Sequence, residues 1–184
     1  HFGQIYCGAG IGVGAIILDQ PLRGAFGNAG EIGHVVVAPG GRACPCGQQG
    51  CLERYASLHA LSEQIAGAEL DAEQVVALHR AGDRRLVAWM DEAAGHLATM
   101  ISLIENIFDP QTVILGGKIP GPLLDDLMAR LRLGPSVANG RSRGQPRVQR
   151  GHTGAATAAL GAAALPLFNA IAPQLDSGGA RAAA

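Results

Sequence analysis

Aromatic side chains are scarce in this sequence, with one Trp, two Tyr and four Phe among 184 residues, and much of its 48% hydrophobic content is alanine. No apolar run is long enough to span a bilayer and no signal peptide is visible, so nothing supports a membrane partner. An excess of one charge is also lacking: 14 Lys and Arg stand against 15 Asp and Glu. That balance gives no global argument for nucleic acid or an anionic membrane surface. The length suits one domain or one lobe of a larger protein, with enough apolar residues for a real core. An apolar run, Ile5-Tyr6-Cys7, follows His1 almost at once, and the sequence reads as a fragment of a longer protein.

Cysteine is limited to four, and three of these fall in one loop with a histidine just upstream: His34, Cys44, Cys46 and Cys51. Thiolate sulfur and imidazole nitrogen suit a borderline-soft cation, and four such ligands close its tetrahedron, so a structural Zn2+ with no open position is expected. A disulfide framework or three unrelated buried thiols are the alternatives. Two cysteines one residue apart bridge only with strain, and the Gly40-Gly41, Pro45 and Gly50 punctuation makes this an irregular loop that burial alone does not favour. Cys7, far upstream in an apolar run, is expected to be a small buried hydrophobe. Thiols committed to metal rather than disulfides place the protein in a reducing cytoplasm.

The pattern along the chain is that of an α/β protein. Ile5–Cys7 and Ala15–Leu18 read as strands joined by a glycine turn, Asp19-Gln20-Pro21 turns the chain, and Val35–Val37 is a third strand candidate. Ser57–Ala66 and Ala72–Ala81 read as short amphipathic helices. Leu86, Met90, Ala94, Leu97, Ile101, Ile104 and Phe108 recur at steps of three and four, one face of a long helix that reads as core more readily than as an oligomer interface. Val113–Leu115 is a strand ended by Gly116-Gly117, and Leu123–Leu131 another helix. The basic stretch 139–150, with no interleaved aromatics, reads as a solvated loop with a short strand near Val148 rather than a nucleic-acid patch. The alanine-rich 154–168 fits a helix packed closely on a neighbour, which Pro166 should end or kink.

Gly8 to Gly14 has glycine at every second position, so its backbone can approach a ligand and aim amides at an anion. Gly10-x-Gly12-x-x-Ala15 satisfies a loose dinucleotide fingerprint, but that motif must open a helix and Ala15-Ile16-Ile17-Leu18 looks extended. No Walker Gly-Lys-Ser/Thr is present. A phosphate-proximal hairpin turn and a tight turn with no ligand both remain open.

Taken in order, Gly8-Ala9-Gly10-Ile11-Gly12-Val13-Gly14, Gly27-Asn28-Ala29-Gly30-Glu31-Ile32-Gly33-His34, Cys44-x-Cys46-Gly47-x-x-Gly50-Cys51-Leu52-Glu53, Val113–Gly117 and Leu160-Gly161-Ala162-Ala163 resemble the ROK family of repressors, open reading frames and sugar kinases. The resemblance covers nearly the whole chain. It implies the two-lobed, ribonuclease H-like fold of actin and hexokinase, with residues 1–176 as the C-terminal lobe, residues 27–57 as its zinc and sugar loop, 177–184 as a flexible tail, and the N-terminal lobe outside this chain. It implies sugar contacts at Glu31, His34 and Glu53, zinc ligands at His34, Cys44, Cys46 and Cys51, and nucleotide contacts at Gly8, Ala9, Gly10, Gly116 and Gly117. Ionised carboxylates accept several sugar hydroxyls at once, and the metal loop would clamp both glutamates in place.

Two departures count. Kinases of the family commonly carry threonine where this chain has Ala9, and the family's phosphate-gripping Asp-Gly-Gly-Thr segment and catalytic aspartate belong to the other lobe, so no catalytic base is assigned here. Asp19 and Asp109 read as local structure. The resemblance therefore implies part of an ATP- and Mg2+-dependent hexose or N-acylhexosamine kinase. The alternative is the effector domain of a sugar-responsive regulator, which would bind DNA only through an upstream helix-turn-helix. A bare zinc-stabilised scaffold is a third reading. A small-molecule sugar and a homo-oligomeric state are expected for the first two.

Overall fold

Alternating burial along the first strand fixes how the sheet faces its core. In the computed structural model, which describes residues 1–136 and 144–171, Gly3, Ile5 and Cys7 of β1 (Phe2–Cys7) are buried while their neighbours are not. β2 (Ile11–Ile17) returns antiparallel across the glycine turn, and β3 (Gln20–Pro21) extends that edge after a turn in which Leu18 and Asp19 take positive φ. On the other side β4 (Thr112–Gly117) and then β5 (Val148–Thr153) run parallel to β1, giving the order β3-β2-β1-β4-β5. The fold is thus a mixed α/β sheet.

Helices follow from caps and apolar spacing. After the four-residue α1 (Glu53–Ala56), Ser57 caps α2 (Leu58–Ile65), its hydroxyl accepting from the Ala60 N–H at 3.0 Å. Asp71 and Gln74 form a reciprocal capping box at the start of α3 (Ala72–Arg80). α4 (Arg84–Phe108) begins on Asp83 and ends where Asp109 turns left-handed at φ 42, so Asp109 serves local structure as its sequence context indicates. The apolar stripe of α4 is core: Leu86, Leu97 and Ile101 are fully buried, against Leu123, Leu124 and Leu127 of α5 (Gly121–Arg130) and the strands. Cys7 is also core, and burial pushes its thiol pKa up to about 12. No helix among the described residues is long and apolar enough to cross a membrane.

Three expectations change. Val35–Val37 joins no strand of the sheet. A 3-10 turn at Ile32–His34 precedes it, and its backbone pairs with the cysteine loop instead, with Leu52 N–H donating to Val35 O at 2.9 Å and Val37 N–H to Gly50 O at 2.8 Å. β-branched side chains signal extended backbone, not which partner it finds. Pro166 does not end α6 (Thr157–Ile171); the helix is exposed there, so the carbonyl freed one turn earlier can turn to water. Nor is α6 packed on a neighbour, since Leu160, Leu165 and Leu167 are all exposed. Of the basic stretch, 139–143 lies outside the described residues, as does the 177–184 tail; β5 starts at Val148 as expected.

Ion pairs tie the helices together. Asp126 of α5 accepts from Arg130 Nε at 3.0 Å and meets His79 of α3 at 3.2 Å, while Arg130 reaches Asp91 of α4. Hydrogen bonding from Arg130, then from His79, holds the Asp126 carboxyl below its ordinary 3.8. A carboxyl depressed in the folded state stabilises above its unfolded pKa, and that stability is lost as pH falls through the folded value. Asp126→Asn is therefore expected to make the acid-side loss of stability shallower below about pH 4, as read by urea unfolding at stepped pH; an unchanged slope counts against the linkage.

Candidate metal centre and adjoining cavity

The loop after the 3-10 turn brings His34, Cys44, Cys46 and Cys51 together, with one ligand atom from each inside a mutual span of 4.8 Å. His34 Nδ1 lies 3.6 Å from Cys44 Sγ, and Cys46 Sγ lies 3.7 Å from Cys51 Sγ. Tetrahedral zinc with bonds of about 2.3 Å to sulfur has S···S edges of about 3.8 Å, whereas a disulfide needs about 2.0 Å, so the donor set and spacing fit a metal site. Electrostatics point the same way. A hydrogen bond from the Gln48 backbone, aided by neighbouring thiols, lowers the Cys46 pKa to about 6, while burial and the adjacent sulfurs push Cys51 up to about 12. A bound cation reverses the penalty that burial and adjacent sulfur place on the Cys51 thiolate.

The loop is braced onto α4. Arg42 donates its backbone N–H to Tyr55 Oη at 2.9 Å, stacks its guanidinium 4.3 Å over the Tyr55 ring, and pairs with Glu92 at 2.9 Å. His96 packs on the same Tyr55 ring, the two ring centroids 4.6 Å apart, and burial lowers the His96 pKa. Sequence reading missed this clamp because its members are scattered from the loop to mid-α4.

Glu53, directly after the loop, faces the glycine turn. Its Oε2 accepts the Ile11 N–H at 3.2 Å, and a Cβ on Gly10 would sit 2.5 Å from that oxygen, so a side chain there would push the carboxylate aside. The same oxygen lies 3.3 Å from where Gly33 would place a Cβ, so one carboxylate bridges the hairpin and the segment between Glu31 and His34. Glu31 is exposed and its carbonyl accepts the His34 N–H at 3.1 Å. The hairpin turn itself is held by Gly8 N–H to Gly10 O at 2.9 Å and by Leu58 N–H of α2 to Gly8 O at 2.8 Å, leaving Ala9 exposed at its tip.

A cavity of about 400 Å³ opens at that tip, lined by Ala9, Leu58, Ser62, Asp71, Val75 and Lys118 among others. Gly116 and Gly117, which precede Lys118 in the chain, are not among the residues that line it and have a packing reason of their own. Gly117 takes φ +123, and a Cβ there would meet Cys7 O at 2.5 Å, while one on Gly116 would meet His152 O at 2.6 Å. Lys118 and the α2–α3 wall were not legible as site residues; the one available signal for Lys118 was its place directly after the glycine pair.

Proteins similar to this chain include both enzymes and regulators. The chain is 34% identical to the glucokinase of Thermotoga maritima over 136 residues, covering 65% of this chain and 43% of that protein. It is 35% identical to the xylose repressor of Bacillus subtilis over 112 residues, covering 60% of this chain and 29% of that one. The crystal structure of the ROK hexokinase from Thermus thermophilus superposes with a TM-score of 0.64 at 29% identity, over 81% of this chain and 51% of that one. The chain thus spans less than two thirds of the length of these relatives. A sequence model of the ROK family matches residues 3–167, the glycine hairpin and the His34–Cys51 loop included, and the chain belongs to the ROK family.

Proposed function

We propose that this chain is the C-terminal lobe of an ATP-dependent hexose or N-acylhexosamine kinase, with a structural zinc on His34, Cys44, Cys46 and Cys51 holding the sugar loop. His34 turns Nδ1 toward the sulfurs, which leaves Nε2 on the opposite side of the ring for a sugar hydroxyl. Glu31 and Glu53 supply the acceptor-only groups that sugar hydroxyls need. ATP with Mg2+ would sit along the Gly8-Ala9-Gly10 turn and Gly116-Gly117, and the base that takes the sugar proton would come from the other lobe. The observation that most supports a kinase over a regulator is the cavity running from Ala9 to Lys118, because a sugar-sensing domain has no need of a second open site beside its sugar loop.

The effector domain of a sugar-responsive regulator is the second reading, favoured by the missing hydroxyl at Ala9 and by the repressor relative. Calorimetry with ATP and with candidate hexoses separates them: the kinase binds both, and the regulator binds sugar alone. Variants test the roles within the site. Glu31→Ala is expected to weaken sugar binding tenfold or more, as loss of a charge-assisted pair does, with ATP affinity unchanged. Glu53→Ala is expected to weaken both, because its carboxylate also holds Ile11 at the hairpin. Equal effects of the two variants on ATP would remove the distinction.

A further inference from the structure

We propose that Lys118 is the side chain that grips the phosphates of a nucleoside triphosphate in this cavity, standing in for the hydroxyl that Ala9 lacks. This rests on the nucleotide reading of the cavity and adds the residue that carries its charge.

Lys118 lines the cavity together with Ala9, and backbone pairing explains why the two are neighbours. Gly117 pairs with Cys7, the residue before the glycine turn, and Ile119 N–H donates to Cys7 O at 3.1 Å. The lysine backbone is fixed on both sides, by Gly117 in the sheet and by fully buried Ile119 followed by Pro120 at the start of α5. A lysine usually ends in water with an acidic neighbour nearby. Here the ammonium has no ion pair or hydrogen bond among the described residues, although the same cavity holds acids. Asp71 is committed elsewhere, its Oδ1 accepting the Gln74 N–H at 2.8 Å in the α3 capping box. His59 pairs with Glu63 at 3.2 Å.

The cavity therefore has two chemically different ends. The hairpin end offers the small Ala9 and one unpaired cation, room and charge suited to polyphosphate. The α2–α3 end is walled by Leu58, Leu70 and Val75, suited to the face of an uncharged base, with Glu69 at its rim and with Ser62, Asp71 and Gln74 held in bonds to the backbone. The Ala9 side chain cannot donate, which leaves Lys118 as the charged partner for a triphosphate at the hairpin.

Titration calorimetry of this chain with ATP and with adenosine tests the assignment. Lys118→Ala is expected to weaken ATP binding about tenfold, which is about 1.4 kcal/mol, and to leave adenosine binding unchanged; Lys118→Arg should keep most of the ATP affinity. Lys118 is exposed, so a thermal melt should match the unmodified protein. Equal losses for ATP and adenosine, or undiminished ATP binding by Lys118→Ala, overturn the role of Lys118 while leaving the nucleotide reading in place. If neither ATP nor adenosine binds the unmodified chain, the nucleotide reading falls and Lys118 with it.

Discussion

Cys46→Ser is expected to leave the protein without its metal and to lower its thermal midpoint by roughly 10 °C, at about 2–4 °C per kcal/mol for a chain of this size. The choice of cysteine matters. Cys46 is the exposed member of the cluster while Cys44 and Cys51 are buried, and an exposed sulfur-to-oxygen change by itself shifts stability by no more than about 0.5 kcal/mol. Any larger loss must pass through the ion. Four-ligand zinc sites in peptides contribute roughly 10–16 kcal/mol of apparent binding energy at neutral pH, and folding alone gathers these four donors, so removing one ligand should cost several kcal/mol. A chelator should bring the unmodified protein down to the midpoint of the variant and leave the variant where it is. Elemental analysis showing equal metal in both proteins, or a midpoint indifferent to chelator, would refute the site.

Which parts of this molecule were legible in its sequence follows from the range of the forces involved. The gathering of His34, Cys44, Cys46 and Cys51 was legible because the four lie in one short segment and their chemistry admits few partners. The helices were legible because caps such as Ser57 and Asp71 and the stripe from Leu86 to Phe108 are local signals. The glycine hairpin was visible as a turn, yet its reason was not. The carboxylate that lies against Gly10 comes from Glu53, far along the chain. The pairing of Val35–Val37 with residues 50–52 rather than with the sheet, the Arg42 clamp onto Glu92, and the meeting of Lys118 with Ala9 are all long-range contacts with no sequence spacing to announce them. Gly116 and Gly117 have a packing reason that the sequence did not show, because a Cβ on either would meet the backbone of a neighbouring strand.

Breaking the buried pair between Glu105 of α4 and Arg147, next to β5, is expected to cost about 3–5 kcal/mol, and the two ways of breaking it should not cost the same. The pair is bidentate, with Arg147 Nε donating to Oε1 at 2.8 Å and Nη2 to Oε2 at 2.7 Å. The Glu105 side chain is 0% exposed, whereas that of Arg147 is 21% exposed and also donates to Gly134 O at 2.9 Å. Glu105→Gln leaves a guanidinium that retains Gly134 and reaches water. Arg147→Met removes two charge-assisted hydrogen bonds from a carboxylate that is fully buried, where water cannot replace them. Arg147→Met should therefore destabilise more, and it should free β5, an edge strand whose other local ties include Val113 N–H to Arg147 O and Thr112 Oγ1 to Pro146 O. Urea unfolding of both variants at neutral pH, with amide exchange read at β5, checks both statements. A larger loss for Glu105→Gln, or unchanged exchange at β5 in Arg147→Met, would show that Arg147 is held by its other contacts rather than by Glu105.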